Sequence, residues 1–290
     1  MKIVISNTVA LNGGDAAILQ AIMGALRGEF GDDTRFVVFD TQPEIARKYY
    51  PDIDFRKLLY WRAGWSPDGL GPLVRPMNLG RFELATKLRT RGMKKTGAAL
   101  LSRAELADLK EYESADLIVS TGGTYLVENY DFEPRLFDYE IALTVGCPLV
   151  FYTQSLGPFR MPSNRTRLRR IFNDARLVLL RDERSRENLL EIGVQPSKLR
   201  VSADAVFALD GPPPKPRQAS TDEDSSLRVA VSVRHWTHFE GIDAEEGMRR
   251  YRDAIAHGVR HLVEDHGARV TFVSTCQGIP EYWTHDSRCA

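Results

Sequence analysis

Residues 117–123 read Leu117-Ile118-Val119-Ser120-Thr121-Gly122-Gly123, an apolar run that ends directly in small and polar residues. Three other apolar runs end in the same way. They are Ile3-Val4-Ile5 before Asn12-Gly13-Gly14-Asp15, Leu149-Val150-Phe151-Tyr152 before Gln154-Ser155-Leu156-Gly157, and Val178-Leu179-Leu180 before Arg181-Asp182-Glu183-Arg184-Ser185. Parallel α/β sheets bind ligands at the carboxyl ends of their strands. The four segments therefore predict one site that is assembled from loops far apart in sequence.

Apolar runs alternate with amphipathic helical stretches along most of the chain, which is the pattern of β-α-β units in a mostly parallel sheet. Residues 1–7 and 35–39 are predicted strands, and Asp15 starts a predicted helix with apolar residues at helical spacing. The fold class predicted from this alternation is α/β.

Residues 51–80 interrupt the alternation with Tyr60, Trp61, Trp65 and four prolines, and they show no clean periodicity. A long aromatic loop of this kind is often a lid or a binding surface. The alternative is a hydrophobic insert that packs on the domain or on a partner. A helical pattern resumes over residues 82–112, with a break predicted near Leu101-Ser102.

A second change in composition predicts the domain organisation. Residues 211–226 combine a proline-rich piece with a polar acidic piece, as interdomain linkers do. We therefore predict an N-terminal Rossmann-like domain over residues 1–210 and the start of a C-terminal Rossmann-like domain over residues 227–290. The second region holds two predicted strands, residues 228–233 and 269–274, and one clear predicted helix, residues 247–265. These are too few to cover both faces of a sheet, so we expect an incomplete domain.

Composition excludes several classes of function. The chain has 290 residues, and Lys+Arg and Asp+Glu each number 39, so the net charge is zero. This balance argues against binding to nucleic acid or to an anionic membrane by bulk electrostatics. No apolar run approaches the roughly 20 residues of a membrane span. We expect a cytoplasmic protein, with the inner face of the membrane as an alternative location.

Neither the cysteines nor the histidines predict a metal site. Cys147, Cys276 and Cys289 are scattered, without the spacing of a disulfide framework or a zinc site. Cys276 is interpreted as a buried thiol at a strand end, with a nucleophile as the alternative. His257 and His261 have i, i+4 spacing but lack the H-E-x-x-H pattern.

The glycine-rich turn after the first strand is the first candidate binding segment. Asn12, Gly13 and Gly14 let a ligand approach the backbone, and the following helix directs N–H groups and a partial positive charge toward it. This suits a phosphate, a carboxylate or sugar hydroxyls. Asp15 is either a helix N-cap or an acceptor of a proton from a sugar hydroxyl. The turn is not the G-x-G-x-x-G fingerprint of dinucleotide sites.

Two further strand ends supply candidate substrate-binding residues. These are Gly122, Gly123, Tyr125, Gln154, Ser155 and Gly157. Tight strand–helix packing explains the glycines equally well on local grounds. The nucleophile-elbow motif G-x-S-x-G is absent, so Ser155 is a poor candidate for a hydrolase nucleophile.

Arginines mark the last two candidate segments. Arg181 either pairs with an acidic neighbour such as Asp204 or faces an anionic ligand, while Asp182 is predicted to cap the following helix. Arg234 follows a strand of the second region and is the candidate for binding a phosphate or carboxylate. Two further candidates are His235, as a general acid or a solvent-facing residue, and Gln277, at the end of the last strand.

Together these segments resemble the polysaccharide pyruvyl transferase family. The resemblance rests on the turns quoted above, on Asp204-Ala205-Val206-Phe207, and on Val231-Ser232-Val233-Arg234 and Ser274-Thr275-Cys276-Gln277-Gly278. It implies two Rossmann-like domains in a glycosyltransferase-B-like arrangement, with the active site between them. It also implies transfer of the enolpyruvyl unit of phosphoenolpyruvate onto a sugar, forming a pyruvate ketal in cell-surface polysaccharide biosynthesis. The family's later Arg/His element is expected beyond residue 290.

That chemistry needs an acid, a base and cationic groups that hold phosphate and carboxylate. Asp15 is the candidate base and His235 a poorer candidate acid, while Arg234 and Arg181 are candidate donor-binding residues. We expect no cofactor and no metal, with phosphoenolpyruvate as co-substrate. The expected acceptor is a saccharide, either lipid-linked or nucleotide-linked.

Two alternatives stay open. One is a nucleotide-sugar glycosyltransferase, which needs a nucleotide site in the second domain. The other is a noncatalytic, sugar-phosphate-binding subunit of a polysaccharide assembly complex that uses the aromatic residues 60–65 as its contact. A homo-oligomer is also left open.

Overall fold

The computed structural model describes residues 1–64, 71–209 and 226–274. The chain divides into two compact units. Unit 1 comprises Met1–Leu11 and Asp15–Leu209, and unit 2 comprises Asn12–Gly14 and Asp210–Ala290.

Unit 1 alternates strands with helices. Its strands are β1 (Lys2–Thr8), β2 (Arg35–Asp40), β3 (Asp54–Lys57), β4 (Leu117–Ser120), β5 (Gly123–Leu126), β6 (Leu149–Leu156), β7 (Leu177–Leu180) and β8 (Leu199–Val201). Its helices are α1 (Gly13–Phe30), α2 (Pro43–Tyr49), α3 (Leu59–Ala63), α4 (Gly71–Thr90), α5 (Lys94–Ala99), α6 (Arg103–Glu113), α7 (Glu133–Val145), α8 (Pro162–Asp174) and α9 (Glu183–Glu191). Short 3-10 turns cover Pro196–Lys198 and Ala205–Ala208.

The strands of unit 1 form a parallel sheet in the order β3-β2-β1-β4-β6-β7-β8, with β5 paired to β6. Ile3, Val4, Val37 and Ile118 are fully buried, because helices cover both faces of such a sheet and its strands are apolar throughout. The α/β fold class is confirmed.

The strand order reverses between β1 and β4, which lie side by side with Ile5 opposite Val119 and Ser6 opposite Ser120. Ligand crevices in open α/β sheets lie outside the carboxyl ends of the strands at such a reversal. Residues 12–15 follow β1 and residues 121–123 follow β4, so two of the predicted segments leave the sheet at this point.

The prediction of a long loop over residues 51–80 was wrong for its described part. These residues form β3, α3 and the first half of α4. The side chains of Leu59, Tyr60 and Ala63 are buried in the core, which corresponds to the alternative of an insert packed on the domain. Trp65 lies outside the described residues.

Two strand boundaries also differ from the sequence prediction. Gly123–Leu126 is a strand rather than a turn, and it pairs with β6 through Gly123 opposite Gln154 and Leu126 opposite Leu156. Gln154 and Ser155 are consequently strand residues. The predicted break near Leu101-Ser102 is confirmed, because Ser102 caps α6 in a capping box with Glu105.

Unit 2 contains one β-α-β segment in its described part. Strand β9 (Arg228–Val233) is followed by α10 (Ala244–His266) and β10 (Arg269–Ser274), and the two strands pair in parallel. Both predicted strands are confirmed, but the helix begins at Ala244 rather than at Gly247 because Asp243 caps it. The glycosyltransferase-B-like arrangement stays a prediction, and residues 211–225 of the predicted linker lie outside the described residues.

Membrane insertion by a helix finds no support in the structure. Across residues 1–64, 71–209 and 226–274, no helix has both the length and the apolar character needed to span a bilayer.

Candidate active site

Arg181, just after β7, joins three segments at the carboxyl edge of the sheet. Its guanidinium donates to the Ser155 hydroxyl (Nε–Oγ 2.7 Å), to Asp204 (Nη1–Oδ2 2.6 Å) and to the Thr124 hydroxyl (Nη2–Oγ1 2.6 Å). The alternative in which Arg181 pairs with an acidic neighbour is therefore confirmed. These contacts fix the guanidinium plane at the edge of the sheet, since a planar fork donor is oriented by each bond it makes.

Asp182 anchors the other side of Ser155. The Ser155 hydroxyl donates to Asp182 (Oγ–Oδ2 2.6 Å), and the second carboxylate oxygen accepts the backbone N–H of Ser185 at 2.7 Å. Burial by itself would raise the pKa of Asp182, but the hydrogen bonds from Ser155 and Ser185 outweigh burial and lower it. Asp182 is the N-cap of α9, as predicted.

Asp15 lies in the first turn of α1 rather than at its N-cap, because the helix begins at Gly13. The cap is made instead by Asn12, whose side-chain oxygen accepts the N–H of Gly14 at 3.0 Å. Burial raises the pKa of Asp15 to about 6, although the Tyr125 hydroxyl, Arg181 and Arg135 each act to lower it. A carboxyl group with this pKa can exchange a proton close to neutral pH.

Tyr125 and Arg135 complete the surroundings of Asp15. Tyr125 is only 9% exposed, and its buried hydroxyl is a hydrogen-bond neighbour of the Asp15 carboxyl group. Burial and the neighbouring Asp15 carboxylate raise its pKa well above the ordinary tyrosine value. The Arg135 guanidinium carbon lies 5.1 Å from the centroid of the Tyr125 ring. Sequence reasoning missed Arg135, since it belongs to no motif and lies inside a helical pattern.

The predicted glycines are explained by close packing. Gly122 leaves no room for a side chain, because a Cβ there would lie 2.9 Å from the Ile18 Cγ2 atom. Gly123 has a φ of +128°, and its Cβ would lie 2.6 Å from the Tyr125 ring. Gly157 has a φ of +79° and faces Asn188 in the same way. These contacts correspond to the tight-packing alternative, which does not exclude a ligand nearby.

Gln154 lies in the protein interior. Its side-chain nitrogen donates to the Ser120 hydroxyl and to the Thr121 carbonyl, both at 2.7 Å, and the residue is 1% exposed. The Ser120 hydroxyl in turn lies 2.7 Å from the Tyr139 hydroxyl. The structure thus gives the Gln154 amide group a role inside the sheet, whereas Asp15, Tyr125, Ser155 and Arg181 lie around its carboxyl edge.

Arg234 and His235, the described candidate residues of unit 2, are exposed within that unit. The Arg234 guanidinium carbon lies 5.2 Å from the Trp236 ring centroid, and the Arg234 backbone N–H donates to the Tyr251 hydroxyl at 3.3 Å. His235 is exposed beside it, and Gln277 lies outside the described residues. Across the described ranges, no group of His, Cys, Asp or Glu side chains is arranged to hold a metal ion. The donor-binding and acid roles stay predictions.

The chain matches a known protein family over most of its length. The sequence pattern of the family described as polysaccharide pyruvyl transferase matches residues 12–284. The chain belongs to the polysaccharide pyruvyl transferase family. The amylovoran biosynthesis protein AmsJ of Erwinia amylovora is 26% identical over 191 residues. That alignment covers 63% of this chain and 44% of AmsJ, so the chain spans less than half the length of that relative.

The solved structures that resemble this chain are less similar to it in sequence than AmsJ is. The Anabaena protein HepE, crystallised with UDP and glucose, is 13% identical with a TM-score of 0.49, over 94% of this chain and 69% of HepE. The UDP-GlcNAc 2-epimerase of Neisseria meningitidis, bound to UDP-GlcNAc, is 13% identical with a TM-score of 0.49, over 99% of this chain and 71% of the epimerase. Likeness at this level says nothing about the ligand or reaction of this chain.

Proposed function

We propose that this family member takes part in transferring the enolpyruvyl unit of phosphoenolpyruvate onto two hydroxyls of a saccharide, forming a pyruvate ketal in exopolysaccharide biosynthesis. The match to the family over residues 12–284 supports the reaction class, and the similarity to an amylovoran biosynthesis protein supports the biological role. The single structural observation that carries the proposal is Asp15. This carboxyl group lies where the strand order reverses, and its pKa is about 6.

The reaction moves two protons overall. One proton adds to the methylene carbon of phosphoenolpyruvate, which becomes a methyl group and leaves an electron-poor carbon that bears the phosphate. One saccharide hydroxyl attacks that carbon and gives up its proton. The second hydroxyl then loses its proton and replaces phosphate, which departs with the electron pair of the broken C–O bond and takes up a proton. The products are the ketal and inorganic phosphate.

Asp15 suits the proton transfer from an attacking hydroxyl. With a pKa of about 6 it is mostly ionised at neutral pH, and it is a stronger base than an ordinary carboxylate. Arg181, held by Ser155 and Asp204, supplies a fixed positive charge that lowers the pKa of Asp15. We propose that this charge also favours negative substrate groups at the same edge of the sheet. Arg234 and His235 are proposed to act on the donor.

Replacing Asp15 with Asn in the whole protein tests this role. Phosphate release that depends on phosphoenolpyruvate, together with the ketal methyl signal in NMR, measures turnover with a saccharide acceptor. We expect kcat to fall by about 10²- to 10⁴-fold, the usual contribution of a positioned acid or base. We also expect wild-type kcat/KM to decrease below pH 6 as Asp15 takes up a proton.

The matched control is Asp33→Asn, which removes an exposed carboxylate from the turn before β2 and should leave kcat unchanged. An Asp15→Asn protein with wild-type turnover and an unchanged acidic limb would remove Asp15 from the mechanism. Turnover with a nucleotide sugar, and none with phosphoenolpyruvate, would instead favour the glycosyltransferase alternative.

A further inference from the structure

The outer face of α4 carries apolar side chains where a surface helix is ordinarily polar. Met77 is 69% exposed and Leu84 is 52% exposed. They are seven residues apart, nearly two helical turns, so both lie on one side of the helix. The opposite side packs into unit 1 through Phe82, Ala85 and Thr86, which are fully buried. α4 therefore presents an exposed apolar stripe.

Basic residues continue this stripe beyond the end of α4. Arg91 is seven residues after Leu84, and its backbone N–H donates to the Lys87 carbonyl, so it stays on the same side of the helical turn. Lys94 and Lys95 follow in the first turn of α5. The side chains of Arg91, Lys94 and Lys95 are exposed and form no ion pair with any described carboxylate.

The charge of this segment is strongly unbalanced, although the net charge of the whole chain is zero. Residues 77–95 contain six Lys or Arg residues and a single acidic residue, Glu83. Arg81 and Arg89 are neutralised by ion pairs with carboxylates of α6. Four cations of the segment remain against the one carboxylate, and they are Lys87, Arg91, Lys94 and Lys95.

Helix stability explains only part of this charge. Cations at the carboxyl end of α4 interact favourably with the partial negative charge there, which accounts for Lys87 and Arg91. Lys94 and Lys95 lie at the opposite end of a helix, where a positive charge is unfavourable. The turn that carries them is held in place, because the buried Arg89 side chain donates to the Lys94 carbonyl at 3.0 Å. Their charge has no counterpart within the described residues.

Exposed apolar side chains in line with unpaired cations fit the surface of an anionic bilayer, where apolar groups enter the headgroup region and Lys or Arg contact phosphates. We propose that the α4 face, formed by Met77, Leu84, Arg91, Lys94 and Lys95, docks on an anionic lipid bilayer. α4 then lies along the surface for about 30 Å and does not cross it. This inference does not depend on the reaction proposed above.

Two other partners fit the α4 face less well. A second copy of the chain on the same face would bring like charges together, which is unfavourable. A nucleic acid would use the cations but would leave Met77 and Leu84 in water. A bilayer surface uses both kinds of side chain.

Sedimentation of the 290-residue chain with lipid vesicles measures docking. We expect binding to vesicles of phosphatidylcholine mixed with an equal amount of phosphatidylglycerol, and none to vesicles of phosphatidylcholine alone. Binding should weaken as salt is added, because the Debye length falls from about 10 Å at 0.1 M to about 3 Å at 1 M.

Two combined variants test the two kinds of side chain. The charge variant, Arg91→Gln with Lys94→Gln and Lys95→Gln, should bind the mixed vesicles about 100-fold more weakly, since each cation near an anionic surface contributes about fivefold. The apolar variant, Met77→Ser with Leu84→Ser, should bind them about 10-fold more weakly through loss of apolar burial.

The matched control is Arg160→Gln with Arg169→Gln and Arg200→Gln. It removes three exposed cations elsewhere in unit 1 and changes the net charge as much as the charge variant does. It should bind like the wild type. Because all the replaced side chains are exposed, every variant should unfold at close to the wild-type urea concentration.

Failure of the wild type to bind the phosphatidylglycerol vesicles would overturn the proposal, and so would an equal loss in the charge variant and its control. A loss in the charge variant with full binding in the apolar variant would overturn bilayer docking and favour a soluble polyanion. Self-association that the apolar variant abolishes, without lipid binding, would assign the α4 face to a second copy. None of these readouts requires turnover, so pyruvyl transfer and docking can fail separately.

Discussion

Asp138 predicts a pH-dependent loss of stability that can be worked out from its contacts. Its carboxylate accepts the backbone N–H groups of Leu59 and Tyr60 at 3.1 Å and 3.0 Å and the Tyr112 hydroxyl at 3.3 Å. Complete burial nevertheless raises its pKa from 3.8 to about 7, because desolvation of the charge exceeds the gain from these donors. The group therefore holds a proton more tightly in the folded state than in the unfolded state.

The direction in which stability changes with pH follows from this difference in proton affinity. A raised pKa in the folded state contributes stability that is complete below pH 3.8 and is lost as the pH rises through about 7. Between pH 5 and pH 8 the free energy of unfolding should fall by about 2 to 3 kcal/mol on account of Asp138 alone. Asp138→Asn is neutral throughout, so it should lack this component. At pH 5 it should be less stable than the wild type by roughly 1–3 kcal/mol, because its amide cannot accept as many hydrogen bonds.

The assay is urea unfolding of both proteins at pH 5, 6, 7 and 8, followed by circular dichroism. The stability difference between wild type and Asp138→Asn should shrink by about 2 to 3 kcal/mol across this range. Asp52→Asn, which changes an exposed carboxylate, should give a difference that does not vary. A constant difference for Asp138→Asn would show that the buried carboxyl is ionised at all four values, and that desolvation does not dominate.

Two further predictions concern the backbone at Gly123 and the helix cap formed by Asp182. Gly123→Ala should lower the free energy of unfolding by about 1–3 kcal/mol, because it strains a positive φ and places a Cβ against Tyr125. Gly28→Ala, in a helix with open space around it, should raise that free energy by up to about 1 kcal/mol in the same urea assay, and equal effects would refute the argument. Asp182→Ala should cost about 1–2 kcal/mol through loss of the α9 cap. Asp182→Asn should restore most of the loss, and an Asn variant as unstable as the Ala variant would contradict the cap.

The local sequence pattern was sufficient to predict most of the secondary structure. The strand over residues 228–233 and the strand over residues 269–274 have the predicted bounds, and Asp182 caps α9 as its sequence context indicates. These features depend on periodicity and on interactions between residues a few positions apart. The sequence also placed polar segments after the strands, and the structure brings Ser155, Thr124 and Arg181 together there. Their role as a site stays a prediction.

Contacts between residues far apart in sequence account for the errors in the predicted secondary structure. Leu59 and Tyr60 lack a clear helical pattern, yet they form a short helix whose backbone N–H groups donate to Asp138, nearly 80 residues later. Gly123–Leu126 resembles a turn in isolation, and it becomes a strand because β6 lies beside it. Neither partner can be identified from the residues near these segments.

The amino-acid sequence determined the parallel α/β architecture and the family, because both depend on patterns that are read along the chain. Tertiary structure decided which polar residues share one environment. It directs Gln154 into the interior, holds Arg181 between Ser155 and Asp204, and brings Arg135 against Tyr125 near Asp15. A pKa of about 6 at Asp15 arises from burial and from neighbours on other elements, and these are properties of the folded packing rather than of any local stretch of sequence.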